Sequence, residues 1–114
     1  MTFPPGQPSA HGPVTAINIF DLPAGQVAEF TTLWRPRAQI MAAAPGFRDT
    51  TLHRALSPKA RFQLVNFAHW DSQAALEAAQ ASVQERVRGL RENTQLRFLA
   101  YPALYEIAAV LGKP

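Results

Sequence analysis

The stretch RFQLVNFAHWDSQAAL, residues 61–76, decides the fold because a predicted strand runs directly into a predicted helix. Side chains alternate along a strand, so Asn66 and Trp70 share one face while Val65 and Phe67 share the other. Apolar residues therefore occur on both faces, which is typical of a strand that is covered on both sides. We predict that a helix layer covers one face and that another subunit covers the second.

Two periodicities divide the rest of the chain. Alternating apolar residues predict strands, and apolar residues spaced three and four apart predict helices. In chain order, the sequence predicts a strand at 14–20, a helix at 24–43, strands at 47–56 and 61–70, short helices at 72–79 and 82–90, and a strand at 103–111. Residues 1–13, rich in proline and glycine, are predicted to form a flexible tail before a single domain at 14–111.

Particular residues also indicate where the helices begin and where one of them bends. Asp71 and Ser72 can cap the helix that follows them. Ser82 and Glu85 have the spacing of a capping box, which predicts the start of another short helix. Pro36 lies inside the apolar stripe of the first helix, and the stripe continues beyond it, so one bent helix is predicted.

The order strand, helix, strand, strand, helix, strand predicts an α+β ferredoxin-like βαββαβ sandwich. Its four-stranded antiparallel sheet would carry the helices on one face. The other face would expose Val65, Phe67 and Leu52, and large exposed apolar patches usually mark interfaces. We therefore predict a homodimer through the open sheet face.

The pairing of the second and third strands determines which side chains face a pocket. A loop at 57–60 would place Leu56 opposite Arg61 in an antiparallel hairpin, and Thr51 would then lie opposite Asn66. A slip of one residue would send the second-strand members to the other face. In the predicted register, the side chains that share one face are Phe47, Thr51, His53, Asn66 and Trp70.

Composition excludes several classes of function. The chain has 114 residues, a formal net charge of +3 and no cysteine, which excludes disulfides, thiolate catalysis, iron–sulfur clusters and zinc fingers. Its arginines are scattered rather than arranged in a basic stripe with aromatics, so nucleic-acid binding is not expected. No apolar run reaches the ~18 residues of a membrane span. The start lacks the regions of a signal peptide, so a cytoplasmic protein is expected.

The sequence also lacks the motifs of metal sites, nucleotide sites and serine nucleophiles. The three histidines and eight carboxylates show no spacing typical of a metal triad. No glycine-rich nucleotide loop and no G-x-S-x-G nucleophile turn occurs. The sequence therefore predicts neither a metal nor a cofactor.

Three segments carry a family resemblance: PGFRDTTLHRA (45–55), FQLVNFAHWDSQAALEAA (62–79) and YPALYEIAAV (101–110). Together they resemble the antibiotic biosynthesis monooxygenase domain, a dimeric α/β barrel, over nearly the whole of residues 14–110. The superfamily includes quinone-forming oxygenases, haem-degrading enzymes and signal-molecule processing proteins. The resemblance thus implies the fold and leaves the substrate open.

The resemblance implies roles for particular residues. In cofactor-independent oxygenases that turn polyketide phenols and anthrones into quinones, an Asn and a Trp spaced as Asn66 and Trp70 line the substrate pocket. The pocket Tyr that follows this Trp in those enzymes has no counterpart in the helix after Trp70. A further pocket Arg could correspond to Arg86, Arg88 or Arg91.

The haem-degrading members imply a second pattern. Their site has an Asn on the first strand and a Trp before the second helix, which Asn18 and Trp70 match. The His on that helix has no counterpart here, and Gln80 lies near its expected place. Without an axial ligand, haem binding is not expected.

These observations predict a cofactor-independent monooxygenase that oxidises a small phenol-, anthrone- or quinol-type aromatic substrate with O2. Asn66 and Trp70, the predicted catalytic residues, would donate hydrogen bonds to a phenolate oxygen. The other predicted pocket residues are Asn18, His53, Thr51, Phe47 and Trp34. The alternative functions are a non-catalytic or regulatory small-ligand-binding dimer and, third, haem degradation. In a purely structural interpretation, Trp70 would anchor the core and Asn66 would bond only to backbone.

Overall fold

The computed structural model describes residues 12–88 and 96–113, without the side chains of residues 83 and 85–88. In chain order, the elements are β1 (Val14–Asp21), a 3-10 turn (Ala24–Gln26), α1 (Val27–Ala42), β2 (Phe47–Arg54), β3 (Leu64–Trp70), α2 (Gln73–Arg88) and β4 (Leu99–Tyr105). Residues 1–11 of the predicted tail and the predicted helix end at 89–90 lie outside the described residues.

The strands form one four-stranded antiparallel sheet in the order β2-β3-β1-β4. This order and the chain order of the elements confirm the predicted α+β ferredoxin-like fold. Central strand β1 pairs with β3 on one side and with β4 on the other. No helix in the described part of the chain is long and apolar enough to cross a membrane.

The core lies between the helices and one face of the sheet. One cluster joins Phe20 and Leu64 of the sheet to Phe30 of α1, and the two phenylalanine ring centroids are 4.6 Å apart. A second cluster joins Trp70 to Leu76 of α2. Trp70 exposes only 2% of its surface, so the end of β3 is fixed against the helix that follows it. The helices therefore cover the sheet face that carries Leu64, Trp70 and the other even-numbered residues of β3.

The hairpin of β2 and β3 contains a β-bulge between Phe47 and Asp49. Phe47 pairs with Trp70 as predicted, but the predicted register is wrong beyond the bulge, because the extra residue shifts every later pair by one. Leu52, rather than Thr51, is the partner of Asn66. The connection, residues 55–63, is also longer than the predicted loop at 57–60, because β2 ends earlier and β3 begins later than predicted.

The shifted register changes which face each β2 side chain occupies. Thr51 pairs with Phe67 and His53 pairs with Val65, so both lie on the face away from the helices. Leu52 instead packs against the core cluster on the helix side. The prediction that Leu52 lies on the open face is therefore wrong.

Helix α2 is one continuous helix rather than the two short helices predicted. The Ser72 Oγ accepts a hydrogen bond from the Ala75 N–H at 3.1 Å, which confirms the predicted cap. The Ser82 hydroxyl donates to the Ala79 carbonyl at 3.2 Å, so this serine bonds back along the helix instead of starting a new one. Helix α1 likewise continues through Pro36.

Strand β4 begins earlier than predicted. It spans Leu99–Tyr105 instead of 103–111, and Pro102 lies inside it opposite Asn18. Proline is tolerated there because β4 is an edge strand, where one side of the backbone needs no ladder partner. Residues 106–113 have no regular structure.

Gly46 joins α1 to β2 at a close approach to the start of α2. Its φ of +87° lies in the left-handed region that favours glycine. A Cβ atom at this position would lie 2.5 Å from the Cβ of Ala75. The Gly46 carbonyl also accepts a hydrogen bond from the Asp71 N–H at 2.8 Å. This turn therefore sets where β2, and with it the bulge, begins.

We expect Gly46→Ala to lower the free energy of unfolding by about 2–3 kcal/mol, because backbone strain adds to a steric overlap. Gly25→Ala is the matched control, since a Cβ at Gly25 would meet nothing within 4 Å. Urea denaturation of the wild type and both variants measures the difference. Equal midpoints for the two variants would contradict the turn geometry.

Candidate functional site

A cavity of about 420 Å³ lies between the two helices and the helix-covered face of the sheet. Its volume falls within the roughly 300–1,000 Å³ of typical small-molecule sites. Most of the lining is apolar: Ala16, Ile17, Trp34, Ala38, Met41, Phe47, Ala68, Trp70, Leu76, Pro102, Ala103 and Leu104. The polar and charged lining residues are Asn18, Arg37, Thr50, Asn66, Glu77 and Gln80.

Two asparagines lie side by side on the sheet wall of this cavity. Asn18 of β1 and Asn66 of β3 are direct cross-strand partners, so their side chains share the helix-covered face. The strand alternation that keeps Asn66 with Ala68 and Trp70 is the one the sequence predicts. The structure therefore brings Asn18, Asn66 and Trp70 together in the lining of one cavity.

Thr50 fixes the orientation of the Asn66 carboxamide. The Thr50 hydroxyl donates a hydrogen bond to Asn66 Oδ1 at 2.8 Å. The carbonyl side of the amide is thereby used, and its NH2 group keeps two donors. The sequence predicted Thr51 at this place, and the bulge puts Thr50 there instead.

Asn18 offers a hydrogen-bond acceptor to the cavity, whereas Asn66 offers donors. Its Oδ1 is buried and has no hydrogen-bond partner among the described residues. Its neighbour on β4 is Pro102, which has no backbone N–H to donate. A buried acceptor without a donor costs about 1–3 kcal/mol. A ligand or water that donates a hydrogen bond into the cavity would remove this cost.

Aromatic side chains form another wall. The rings of Trp70 and Phe47 meet edge to face, with centroids 5.3 Å apart. Trp34 reaches the cavity from α1, where it also packs against the core. Trp70 thus lines the cavity and also anchors the core. The interpretation as a core residue and the interpretation as a pocket residue are therefore compatible.

The predicted pocket residues Thr51 and His53 do not face this cavity. The His53 ring packs edge to face on Phe67, 5.1 Å between centroids, on the opposite side of the sheet. The sheet therefore separates His53 from Asn66, and the bulge is the reason. The side chains of Arg86 and Arg88, and all of Arg91, lie outside the described residues.

Sequence reasoning missed Arg37, Thr50 and Glu77 as cavity residues. Arg37 lies three residues after Trp34 and four before Met41, so the stripe spacing of α1 could have placed it on the inward face. Thr50 could be found only by locating the bulge. Glu77 is an exposed residue of α2 and accepts a hydrogen bond from Gln73 Nε2 at 2.9 Å.

The chain matches the sequence model of one protein family. The sequence model of the family described as antibiotic biosynthesis monooxygenase matches residues 13–93. The chain belongs to this family. The resemblance predicted from its three segments is thereby confirmed. No curated protein matches the chain.

Several solved structures share the fold over most of this family member. A candidate monooxygenase of Shewanella loihica PV-4 is 32% identical with a TM-score of 0.71, covering 87% of this chain and 97% of its own. SnoaB, a cofactor-independent oxygenase from Streptomyces nogalater, is 27% identical with a TM-score of 0.70, covering 90% and 99%. The haem-degrader MhuD from Mycobacterium tuberculosis is 27% identical with a TM-score of 0.67, covering 87% and 99%.

The likeness to MhuD raises the question of whether haem fits this member of the family. None of the described lining residues is His, Cys or Tyr, the side chains besides Met that usually ligate haem iron. Gln80 lies where the sequence placed the missing His, and it is exposed. No group of three metal-ligating side chains occurs among the described residues. The described cavity therefore offers no histidine for a haem iron.

Proposed function

We propose that this family member is a cofactor-independent monooxygenase that oxidises a small phenol-, anthrone- or quinol-type aromatic substrate with O2. The observation that carries the proposal is the Asn66 carboxamide, held by Thr50 with its NH2 group available, in an apolar cavity beside Trp70. The likeness to SnoaB, a cofactor-independent oxygenase, supports the same assignment.

The chemistry follows from an electron-rich substrate. A deprotonated phenol passes one electron to O2, and the resulting phenoxyl radical and superoxide combine at a ring carbon to form a peroxide. Loss of water across the O–O bond and the C–H bond of that carbon leaves a carbonyl group. The substrate becomes a quinone, one oxygen atom stays in it, and the second leaves as water.

The protein would stabilise the phenolate and keep bulk water away. The Asn66 NH2 and the Trp70 indole N–H are donors suited to the phenolate oxygen. Asn18 Oδ1 would accept a hydrogen bond from a second hydroxyl of the substrate. Phe47 and Trp34 would pack against the ring. Each of these side chains lines the cavity.

The proton of the phenol needs an acceptor within reach. His53, a candidate base from the sequence, lies on the other face of the sheet. Glu77 is the one carboxylate among the described lining residues, and it is exposed to solvent. We assign proton acceptance to Glu77 or to water beside it.

The alternative from another class is a small-ligand-binding dimer without catalysis. The same cavity and the same amides would serve such a binder, because a buried acceptor and oriented donors also recognise a ligand. Oxygen uptake distinguishes the two functions, since a binder consumes none. For haem degradation, Asn18 and Trp70 match the family pattern, but the described cavity residues include no histidine for the iron.

We also propose a homodimer through the open sheet face. Ile19 and Val65 are cross-strand neighbours on this face, and Phe67 lies two residues farther along β3 on the same face. Tyr101 continues the apolar surface onto β4 with 46% of its area exposed. Contiguous apolar surface of this kind is typical of an interface between subunits.

Two substitutions test the catalytic residues. Asn66→Leu keeps approximate size and removes the carboxamide, and Trp70→Phe keeps most of the apolar volume and removes the indole donor. We expect each to lower kcat with an anthrone by roughly 10²–10³, or about 3–4 kcal/mol, because a donor to developing charge is lost. Oxygen-electrode rates and thermal midpoints are measured together, since Trp70 also packs in the core.

Thr50→Val and Thr51→Val supply the matched pair for this experiment. Thr50→Val removes the hydroxyl that orients Asn66, so a loss of about tenfold in kcat is expected. Thr51→Val makes the same chemical change on the opposite face and should leave kcat unchanged.

Near-wild-type turnover in folded Asn66→Leu and Trp70→Phe would contradict the assignment of these residues to the active site, even if the fold and the dimer are right.

Phe67→Asp tests the dimer. We expect the wild type to sediment as a dimer at micromolar concentration and the variant as a monomer, because a charge would be buried in an apolar interface. Leu56→Asp is the control, since Leu56 is fully exposed in the loop after β2. A stable wild-type monomer would contradict the proposal.

A further inference from the structure

The sequence predicts a strand through residue 111, but in the structure β4 ends at Tyr105. Residues 107–111, IAAVL, are here called the C-terminal segment; they include β-branched Ile107 and Val110 and no proline or glycine, which favours a strand. Because side chains alternate along a strand, Ile107 and Leu111 would lie on one face and Val110 on the other. Apolar residues on both faces are typical of a strand that is covered on both sides.

No described strand of the same copy pairs with the C-terminal segment. The segment follows β4 as irregular chain outside the four-stranded sheet, and all of its residues are exposed. Ile107, Val110 and Leu111 expose 75%, 81% and 100% of their surface. An exposed apolar run with high β-propensity promotes pairing with another chain. The segment thus has the composition of a strand and lacks only a strand to pair with.

The sheet has two edges, which differ in their capacity to accept an added strand. β4 forms one edge and contains Pro102, which cannot donate to a ladder. β2 forms the other edge, and its eight residues include no proline. The outward N–H and C=O groups of β2 face no further strand in the described part of the chain. β2 is therefore the edge suited to strand addition.

The positions of β4 and β2 favour pairing between copies rather than within one copy. The two strands lie at opposite edges of the sheet, about 14 Å apart at the usual spacing of neighbouring strands. A chain that crossed this width would use about four residues after Tyr105 and leave little of the segment to pair. In a two-fold dimer the same surfaces meet twice, so each copy can give its segment to the other.

We propose that residues 107–111 of each copy pair with the outer edge of β2 in a second copy, so that the two copies exchange their C-terminal segments as added strands. The inference rests on the proposed dimer and goes beyond it by naming the exchanged segment and its acceptor. The exchange covers both β2 edges and leaves exposed only the edges that contain Pro102, so pairing ends at two chains. It also supports the cavity, because β2 carries Phe47 and Thr50.

Residue-resolved amide hydrogen exchange of the wild-type protein tests this inference without a variant. We expect exchange at residues 107–111 to be slowed at least roughly 100-fold relative to an unstructured chain, because ladder hydrogen bonds protect amides. The outward amides of β2 should be slowed as well. Exchange of residues 107–111 at the unstructured rate in a wild-type dimer would overturn the inference and keep the dimer, and a wild-type monomer would overturn both.

A chain that ends at Glu106 assigns the protection to the segment. We expect its outward β2 amides to lose their protection, because the added strand is missing. The amides of β1 are the internal control for folding, since β1 is paired on both sides within one copy.

A double variant, Ala108→Pro with Ala109→Pro, makes the same test in the full-length chain. N–H groups alternate in direction along a strand, so one of the two substitutions removes a donor to β2. Gly112→Pro is the matched control, because it lies just beyond the segment and has nothing within 4 Å of an added Cβ. The double variant should lose the β2 protection, and the control should keep it. Protection of β2 that survives in the shortened chain or in the double variant, when β1 shows that it is folded, would overturn the inference.

Discussion

The bulge between Phe47 and Asp49 determines which side chains of β2 meet the cavity. The turn at Gly46 starts the strand, and the extra residue then shifts all later pairs by one position. Thr50 consequently faces the helices and bonds to Asn66, while the neighbouring Thr51 faces away. The orientation of the Asn66 amide, and with it the donor side of the cavity, depends on this single irregularity.

Rigid elements hold the site. Asn18 and Asn66 are paired across central strands of the sheet, and Trp70 is packed against α2 at the end of β3. Side chains on paired strands lose little freedom when a ligand binds, which favours preorganised donors over mobile ones. This arrangement is destabilised at Asn18, whose buried Oδ1 has no hydrogen-bond donor among the described residues.

Local patterns predicted much of this arrangement. The alternation along β3 placed Asn66 and Trp70 together, and the Ser72 signal marked the start of α2. The bulge could not be predicted, because apolar and polar residues alternate plausibly in either register around Thr50 and Thr51. The predicted helix start at Ser82 was wrong because a serine hydroxyl bonds equally well to a helix carbonyl behind it, as Ser82 does. Arg37 was not predicted to line the cavity, because it is a cation within the apolar stripe of α1 and only the apolar residues of that stripe were assigned inward positions.

We propose that the chain oxidises its substrate with O2 without a bound cofactor. The most direct measurement is oxidation of anthrone by the wild-type protein under ¹⁸O2 in chelator-treated buffer, with the spontaneous rate subtracted. We expect each substrate molecule to consume one O2, with one labelled oxygen atom in the quinone and the other in water. Oxidation that never exceeds the spontaneous rate, or that begins only when haem or a metal ion is added, would contradict it.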